Sequence, residues 1–273
     1  MLADGHIHTP FCPHGSADAF EEYIEWFIKN RVEEISFTEH APLPQGFEDT
    51  TPTKDSAMTT EQLTKYIEQL QRLKLKYCNQ LTINIGLEVD YIEGYEREVT
   101  SFLQDVGPFL DDSILSVHFI KNKADYYCID YGDDYFNKMI AIFGSVSAIY
   151  DKYYRTVEQS IQADLGAFKP KRIGHMTLAH KFQLKYPPER SFKPEEEALL
   201  HSVKQQGLSL DYNGAGTAKK YCKEPYPSHY LVAKAMELGI PLIYGSDAHC
   251  VEDLGQGFGS LNHNALLYKP SSL

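Results

Sequence analysis

The chain has no window of 18 or more apolar residues, so nothing in it reads as a membrane-spanning helix. It has no basic run longer than Lys219-Lys220, and 38 acidic against 26 basic side chains give a formal charge of -12. No basic face for nucleic acid is therefore expected, and no membrane partner either. Cysteine is sparse. Cys12, Cys78, Cys128, Cys222 and Cys250 are odd in number and none forms a C-x-x-C pair, which predicts a reduced, cytoplasmic protein without disulfides. The opening "MLADGHIH" shows no signal peptide. Internal repeats, low-complexity segments and Pro/Gly/Ser linkers are also missing, which predicts one domain over residues 1–273.

What the chain does have is alternation. Strands are expected over 2–7, 33–40, 81–91, 113–119, 172–176, 208–213 and 241–249. Helices are expected between them: Ser16 capping one that runs to about Asn30, then 61–78, 93–105, a long one over 134–165, 194–206 and 228–238. Seven strand–helix units of this kind make an α/β barrel with a parallel sheet. The polar loop 41–60 and the segment 179–193 are longer than simple connections, and are expected to form the rim of a site.

The stretch "DGHIHTPFCPHG" places His6, His8 and His14 within nine positions. Residues i and i+2 of a strand share a face, so His6 and His8 point the same way. On its own such a pair could simply be solvated. The other strands, however, end in ligand-type residues as well: Glu39-His40, Glu88, His118, His175, and Asp247 with His249. In an α/β barrel the C-terminal strand ends converge on one face, where active sites lie. Seven of the eleven histidines belong to this set, and seven clustered imidazoles are hard to satisfy without metal. Imidazole with carboxylate suits zinc, iron or manganese.

In order, the motifs H-x-H…H, T-E-H, G-L-E, S-V-H, G-H and S-D-A-H resemble those of the polymerase and histidinol phosphatase (PHP) superfamily, from Gly5 to His249. Within it the chain looks most like the histidinol-phosphate phosphatases. The resemblance implies a distorted (β/α)7 TIM-like barrel with three divalent metal ions (Zn, Fe or Mn) at the C-terminal strand ends. It assigns His6, His8, Glu88 and Asp247 to one ion, Glu88, His118 and His175 to a second, and His14, His40 and His249 to a third. It further implies hydrolysis of L-histidinol phosphate, the nucleophile being a hydroxide bridging two of the ions. The alternative is a phosphoesterase of the same kind acting on a nucleotide or another small phosphorylated metabolite. A non-catalytic PHP domain and a two-metal amidohydrolase are the more distant readings.

Glu88 and Asp247 are expected to be catalytic as well as ligating, with Glu39 either a proton donor or the partner that fixes an imidazole tautomer. Arg155, Asp90 and Asn213 are the candidates for binding the small phosphorylated substrate, with Lys181, Arg190 and Lys219 as looser ones. His180 competes with His175 as a ligand, and Cys12 and Cys250 read as packed thiols. Neither a Cys nor a Ser nucleophile motif is present, so a covalent phospho-enzyme is not expected. Oligomeric state is not legible.

Overall fold

Ile83, Ile85, Leu87 and Val89 occupy alternate positions of one strand, as do Ile35 and Phe37 of its neighbour. Period two sends each set to one face, and that face joins a single apolar core with the surrounding helices. The computed structural model describes residues 1–272. In chain order the elements are β1 (Ala3–Ile7), α1 (Phe20–Lys29), β2 (Glu34–His40), α2 (Thr60–Tyr77), β3 (Thr82–Asp90), α3 (Glu96–Val106) and β4 (Asp112–Ser116). Then follow a hairpin, β5 (Phe119–Asn122) and β6 (Asp125–Cys128), and α4 (Asp133–Phe143), α5 (Val146–Gln162), β7 (Arg172–Ile173), α6 (Lys193–Gln205), β8 (Ser209–Asn213), α7 (His229–Leu238) and β9 (Leu242–Gly245).

Seven of these strands pair in parallel in the order β1-β2-β3-β4-β7-β8-β9. The ring closes at its C-terminal end. Ile7 bridges Ala248, His8 N donates to Ala248 O at 2.9 Å, and Asp247 N donates to His6 O at 2.7 Å. The fold is a distorted (β/α)7 barrel, irregular where β7 contributes two residues.

The inner face of the strands is polar. Asn84 Nδ2 donates to Glu34 Oε1 at 2.8 Å and to Ser36 Oγ at 3.2 Å. Arg172 is buried, pairs through Nη2 with Asp112, and donates to Gly5 O at 2.9 Å. A Cβ at Gly5 would overlap the Arg172 guanidinium, so glycine is required there by packing. The barrel interior is thus a hydrogen-bonded plug beneath the site, and the apolar core lies outside it, under the helices.

Several boundaries differ from the sequence expectation, the fifth strand ending at Ile173 rather than 176, and four of the others have a local reason. Ser16 does not cap α1, which begins at Phe20. Instead Ser16 N donates to His249 O at 3.0 Å and Asp18 Oδ2 accepts from Val251 N at 2.8 Å, tying this segment to the chain after β9. The long helix is two helices, broken where Gly144 takes φ 96° and Ser145 caps α5 through Ala148 N. The fourth strand stops at Ser116 because Asp90 Oδ1 accepts from His118 N at 3.2 Å and draws the chain out of the sheet into the hairpin. The seventh stops at Gly245, and Asp247 turns in the left-handed region at φ 54°. His118, His175, Asp247 and His249 therefore sit two to four residues beyond their strands.

Candidate metal centre

Glu88 lies at the middle of the site. Its Oε2 is 3.1 Å from His40 Nδ1, 3.5 Å from His6 Nε2 and 3.6 Å from His8 Nε2. Its Oε1 is 2.8 Å from His175 Nε2 and 3.7 Å from His118 Nε2, and accepts from Ser116 Oγ at 2.6 Å. Asp247 Oδ1 is 3.1 Å from His8 Nε2 and 3.7 Å from His6 Nε2. Three sets of donors lie within 4.8 Å of one another: His6, His8 and Asp247; Glu88, His118 and His175; and His8, Cys12, His40 and His249. His14 stands farther out, exposed, with its ring centroid 5.1 Å from those of both His40 and His249. Cys12, read from sequence as a packed thiol, is buried and closer to the third set than His14 is.

The imidazoles are aimed by partners behind them. Asp211 Oδ2 is 2.8 Å from His6 Nδ1, Glu39 Oε1 is 3.2 Å from His8 Nδ1, and Asp90 Oδ1 is 2.8 Å from His118 Nδ1. The carbonyl of Asp55 accepts from His14 Nδ1 at 2.8 Å, and that of Asp247 from His249 Nδ1 at 3.0 Å. Occupying Nδ1 leaves Nε2 free to face inward. His6 Nε2, His8 Nε2 and His40 Nδ1 are buried without a hydrogen-bond partner. Buried nitrogens left unpaired beside two carboxylates are a donor set that a divalent cation would satisfy.

Electrostatics agree. Burial works against charge on His6, His8 and His118, yet surrounding carboxylates outweigh it. His6 is raised well above the usual imidazole value, His8 to about 9 and His118 to about 10. His40 and His249 go the other way, lowered by burial and by the positive rings beside them. Burial opposes charge on Glu88 and Asp247 too, but the neighbouring imidazoles hold both well below the usual carboxylate range. The basin attracts positive charge, and a cation entering it would displace protons.

Above the centre lies a cavity of about 510 Å³. Its walls carry Lys181 and Lys219, the acids Asp55, Asp90, Asp130 and Asp253, and Tyr131 and Tyr226. Thr51, Thr53 and Ser56 come from the loop before α2, so the 41–60 segment does form rim, as does the start of 179–193 through Lys181. Lys181 Nζ pairs with Asp130 Oδ2 at 2.9 Å.

Several sequence candidates fall elsewhere. Arg155 is exposed on α5 and does not line the cavity, because its helical phase points it to solvent while Tyr153 and Tyr154 point inward. Asn213 is buried behind the site, donating to Asp211 Oδ2 and Asp247 Oδ2, each at 3.1 Å; it holds carboxylates and leaves no group for substrate. Glu39 is fully buried with both oxygens engaged by Thr9 N, Thr9 Oγ, His8 Nδ1 and His40 N, so it cannot deliver a proton to the cavity. Asp90 does line the cavity, but is committed to His118. His180 is not in the cluster; His175 is. Asp211, Asp130, Tyr131 and Tyr226 were not foreseen. Asp211 was accessible to the same reasoning, as an acid near the C-terminal end of the strand "LSLDYN"; the others depend on how loops fold back.

The PHP domain family model matches residues 4–215. A histidinol-phosphatase from Bacillus subtilis (strain 168) is 46% identical over 257 residues, covering 93% of this chain and 96% of that one. Among solved structures, the hisK protein of Listeria monocytogenes, assigned as a histidinol phosphatase, superposes with a TM-score of 0.90 at 38% identity, over 94% of this chain and 99% of that one. The histidinol phosphate phosphatase of Lactococcus lactis subsp. lactis, solved with zinc, L-histidinol and phosphate, has a TM-score of 0.74 at 18% identity, over 98% and 95% of the two chains. At that identity the likeness shows the shared fold.

Proposed function

This chain belongs to the PHP domain family, and we propose that it is a metal-dependent phosphomonoesterase that hydrolyses L-histidinol phosphate to L-histidinol and phosphate. The observation that carries the reading is the set of unpaired, buried imidazole nitrogens gathered around Glu88 and Asp247 on the floor of a cavity walled by both lysines and acids. The 46% identical relative, matched over nearly its whole length, bears that activity's name. We read residues 1–273 as one domain, because β1 and β9 close the same ring. The free cysteines suit a cytoplasmic enzyme of amino-acid biosynthesis.

The residues present fit three divalent cations of the zinc, iron or manganese kind. His6, His8, Glu88 and Asp247 would hold one; Glu88, His118 and His175 a second; His40, His249 and His14 the third. When bound, such ions polarise the phosphoryl oxygens and activate water for in-line attack. The protein's own part is positioning. Glu88 spans the first two donor sets with its two oxygens. Lys181 and Lys219 are the lysines on the cavity wall, and they draw the phosphate dianion. Asp55 and Asp253 play the opposite part, as partners for the amine and imidazole of histidinol, while Asp130 is engaged by Lys181. Glu39 stays behind His8 as its positioning carboxylate, out of reach of the leaving alkoxide.

Purified protein loaded with zinc or manganese is expected to release phosphate from L-histidinol phosphate faster than from a panel of nucleotides and sugar phosphates, and to lose that activity on chelation. Equal or greater turnover of a nucleotide would replace the substrate assignment while leaving the phosphoesterase intact. Undiminished activity after complete removal of metal would overturn the reading.

A further inference from the structure

The two lysines of the cavity wall stand on separate loops. Lys181 is on the short turn after β7, Leu178–Phe182, and Lys219 on the irregular segment that joins β8 to α7. Such loops hold a geometry only if something ties them to the scaffold. Next to Lys181, on the side away from the cavity, His180 is almost entirely buried, its side chain 12% exposed. Its Nδ1 is 2.7 Å from Glu224 Oε1, on the Lys219 loop, and its Nε2 is 2.9 Å from Glu196 Oε1, on α6.

Nε2 hydrogen-bonds Tyr154 OH at 3.1 Å with Glu196 Oε1 beside it, and carboxylates this near both nitrogens favour the charged ring. The neighbours are themselves fixed. Tyr154 OH of α5 donates to Glu196 Oε1 at 2.6 Å, Gln183 Nε2 donates to Glu224 Oε1 at 2.9 Å, and the ring stacks on Tyr150 of α5 at 5.7 Å and 24°. Burial disfavours charge here, but the two glutamates prevail and push the ring up to about 9. His180, a candidate ligand from sequence, lies outside every donor set of the centre.

We propose that His180 is a positioning residue: bonded at both ring nitrogens, it staples the Lys181 turn to the Lys219 loop and to α6, and so holds the lysines where they receive phosphate. It acts through Lys181 and touches no substrate. The phosphate role of the lysines rests on the function proposed above, but binding of inorganic phosphate can be read without turnover of any organic ester.

The test is a double-mutant cycle on the metal-loaded full chain with His180→Gln, Lys181→Met and the pair together. Three quantities are measured: the dissociation constant of inorganic phosphate by calorimetry, KM and kcat for L-histidinol phosphate, and ions bound per chain. His180→Gln is expected to weaken phosphate and raise KM about tenfold, the loss of one charged contact, with kcat within about threefold and metal content unchanged. In the Lys181→Met background the same change is expected to add less than about twofold. An undiminished effect in that background, or no effect on phosphate in the wild-type one, would overturn the proposal. Glu224→Gln removes one partner and keeps the ring; it serves the same cycle if His180→Gln does not fold. Absence of histidinol phosphate turnover in the wild type, with phosphate binding still coupled through Lys181, would refute the substrate and leave the staple standing.

Discussion

Asp211→Asn is the sharpest test of how the centre is held. Asp211 Oδ2 is 2.8 Å from His6 Nδ1, and both side chains are fully buried. Asparagine keeps the shape, and its carbonyl can still accept the Nδ1 proton, so the tautomer survives and the negative charge is lost. Carboxylates behind ligand imidazoles typically contribute about 10- to 100-fold in metal affinity. That is about 1.4 to 2.7 kcal/mol, at 1.36 kcal/mol for each factor of ten. Activity and ions per chain are measured against free zinc set by a chelator buffer. The Asp211→Asn curve is expected to move to higher free zinc by about that factor, with the plateau rate within about threefold of wild type, because the carboxylate touches no substrate. Gly245→Ala supplies an independent check. A Cβ at Gly245 would overlap Asp211 Oδ1 and the His6 Cβ, so this change displaces both members of the contact without removing the charge. It is expected to produce the same shift. Zinc curves for Asp211→Asn that superimpose on wild type would refute the argument that this contact orients and polarises His6.

Glu88→Gln is expected to lower kcat on the order of 10³-fold and to reduce ion content, since one carboxylate spans two donor sets; a variant that keeps full metal and activity would contradict that. Arg155→Ala is expected to leave KM and kcat within about twofold of wild type, because the side chain is exposed and outside the cavity. A large rise in KM would show that α5 is misread. The His180 staple also makes a stability prediction. Its folded value of about 9 lies above the usual imidazole value of 6.5, so its contribution is complete below about pH 6.5 and disappears as pH rises through 9. Unfolding free energies from urea titrations are expected to fall across that window by an amount that His180→Gln removes, on the order of 3 kcal/mol at most. Equal pH slopes for wild type and variant would count against it.

What could be read along the chain was whatever a local period settles. The i, i+2 relation aligned His6 with His8 and Glu88 with Asp90, and strand ends supplied His40, His118, His175 and Asp247 to one rim. The same rule, carried one strand further, reaches Asp211. Arg155 shows where such reasoning stops. An arginine on a helix is equally available to solvent or to a site until the helical phase is known, and buried Tyr153 and Tyr154 decide it against the cavity. Lys181, by contrast, gained its place from contacts remote in sequence, with Asp130 on one side and, through His180, with Glu196 and Glu224 on the other.

That division has a physical origin. The catalytic donors cluster around buried strand ends, where sheet register leaves each side chain few directions to take. The cavity lysines stand on loops, which bear no periodic signal; the Lys181 turn is ordered by charged contacts behind it. That imidazoles and carboxylates gather on one rim can therefore be read from the strand alternation, whereas their grouping around Glu88 came with the family resemblance and the selectivity of the cavity above is not legible. If so, substitutions in the staple and the Lys181–Asp130 pair should change which phosphate ester is preferred while ion content stays constant, and substitutions at Asp211 or Gly245 should do the reverse. Preference for histidinol phosphate over other esters, measured alongside ions per chain across both groups of variants, separates the two layers. A staple variant that loses metal, or an Asp211 variant that alters ester preference at saturating zinc, would show that they are one.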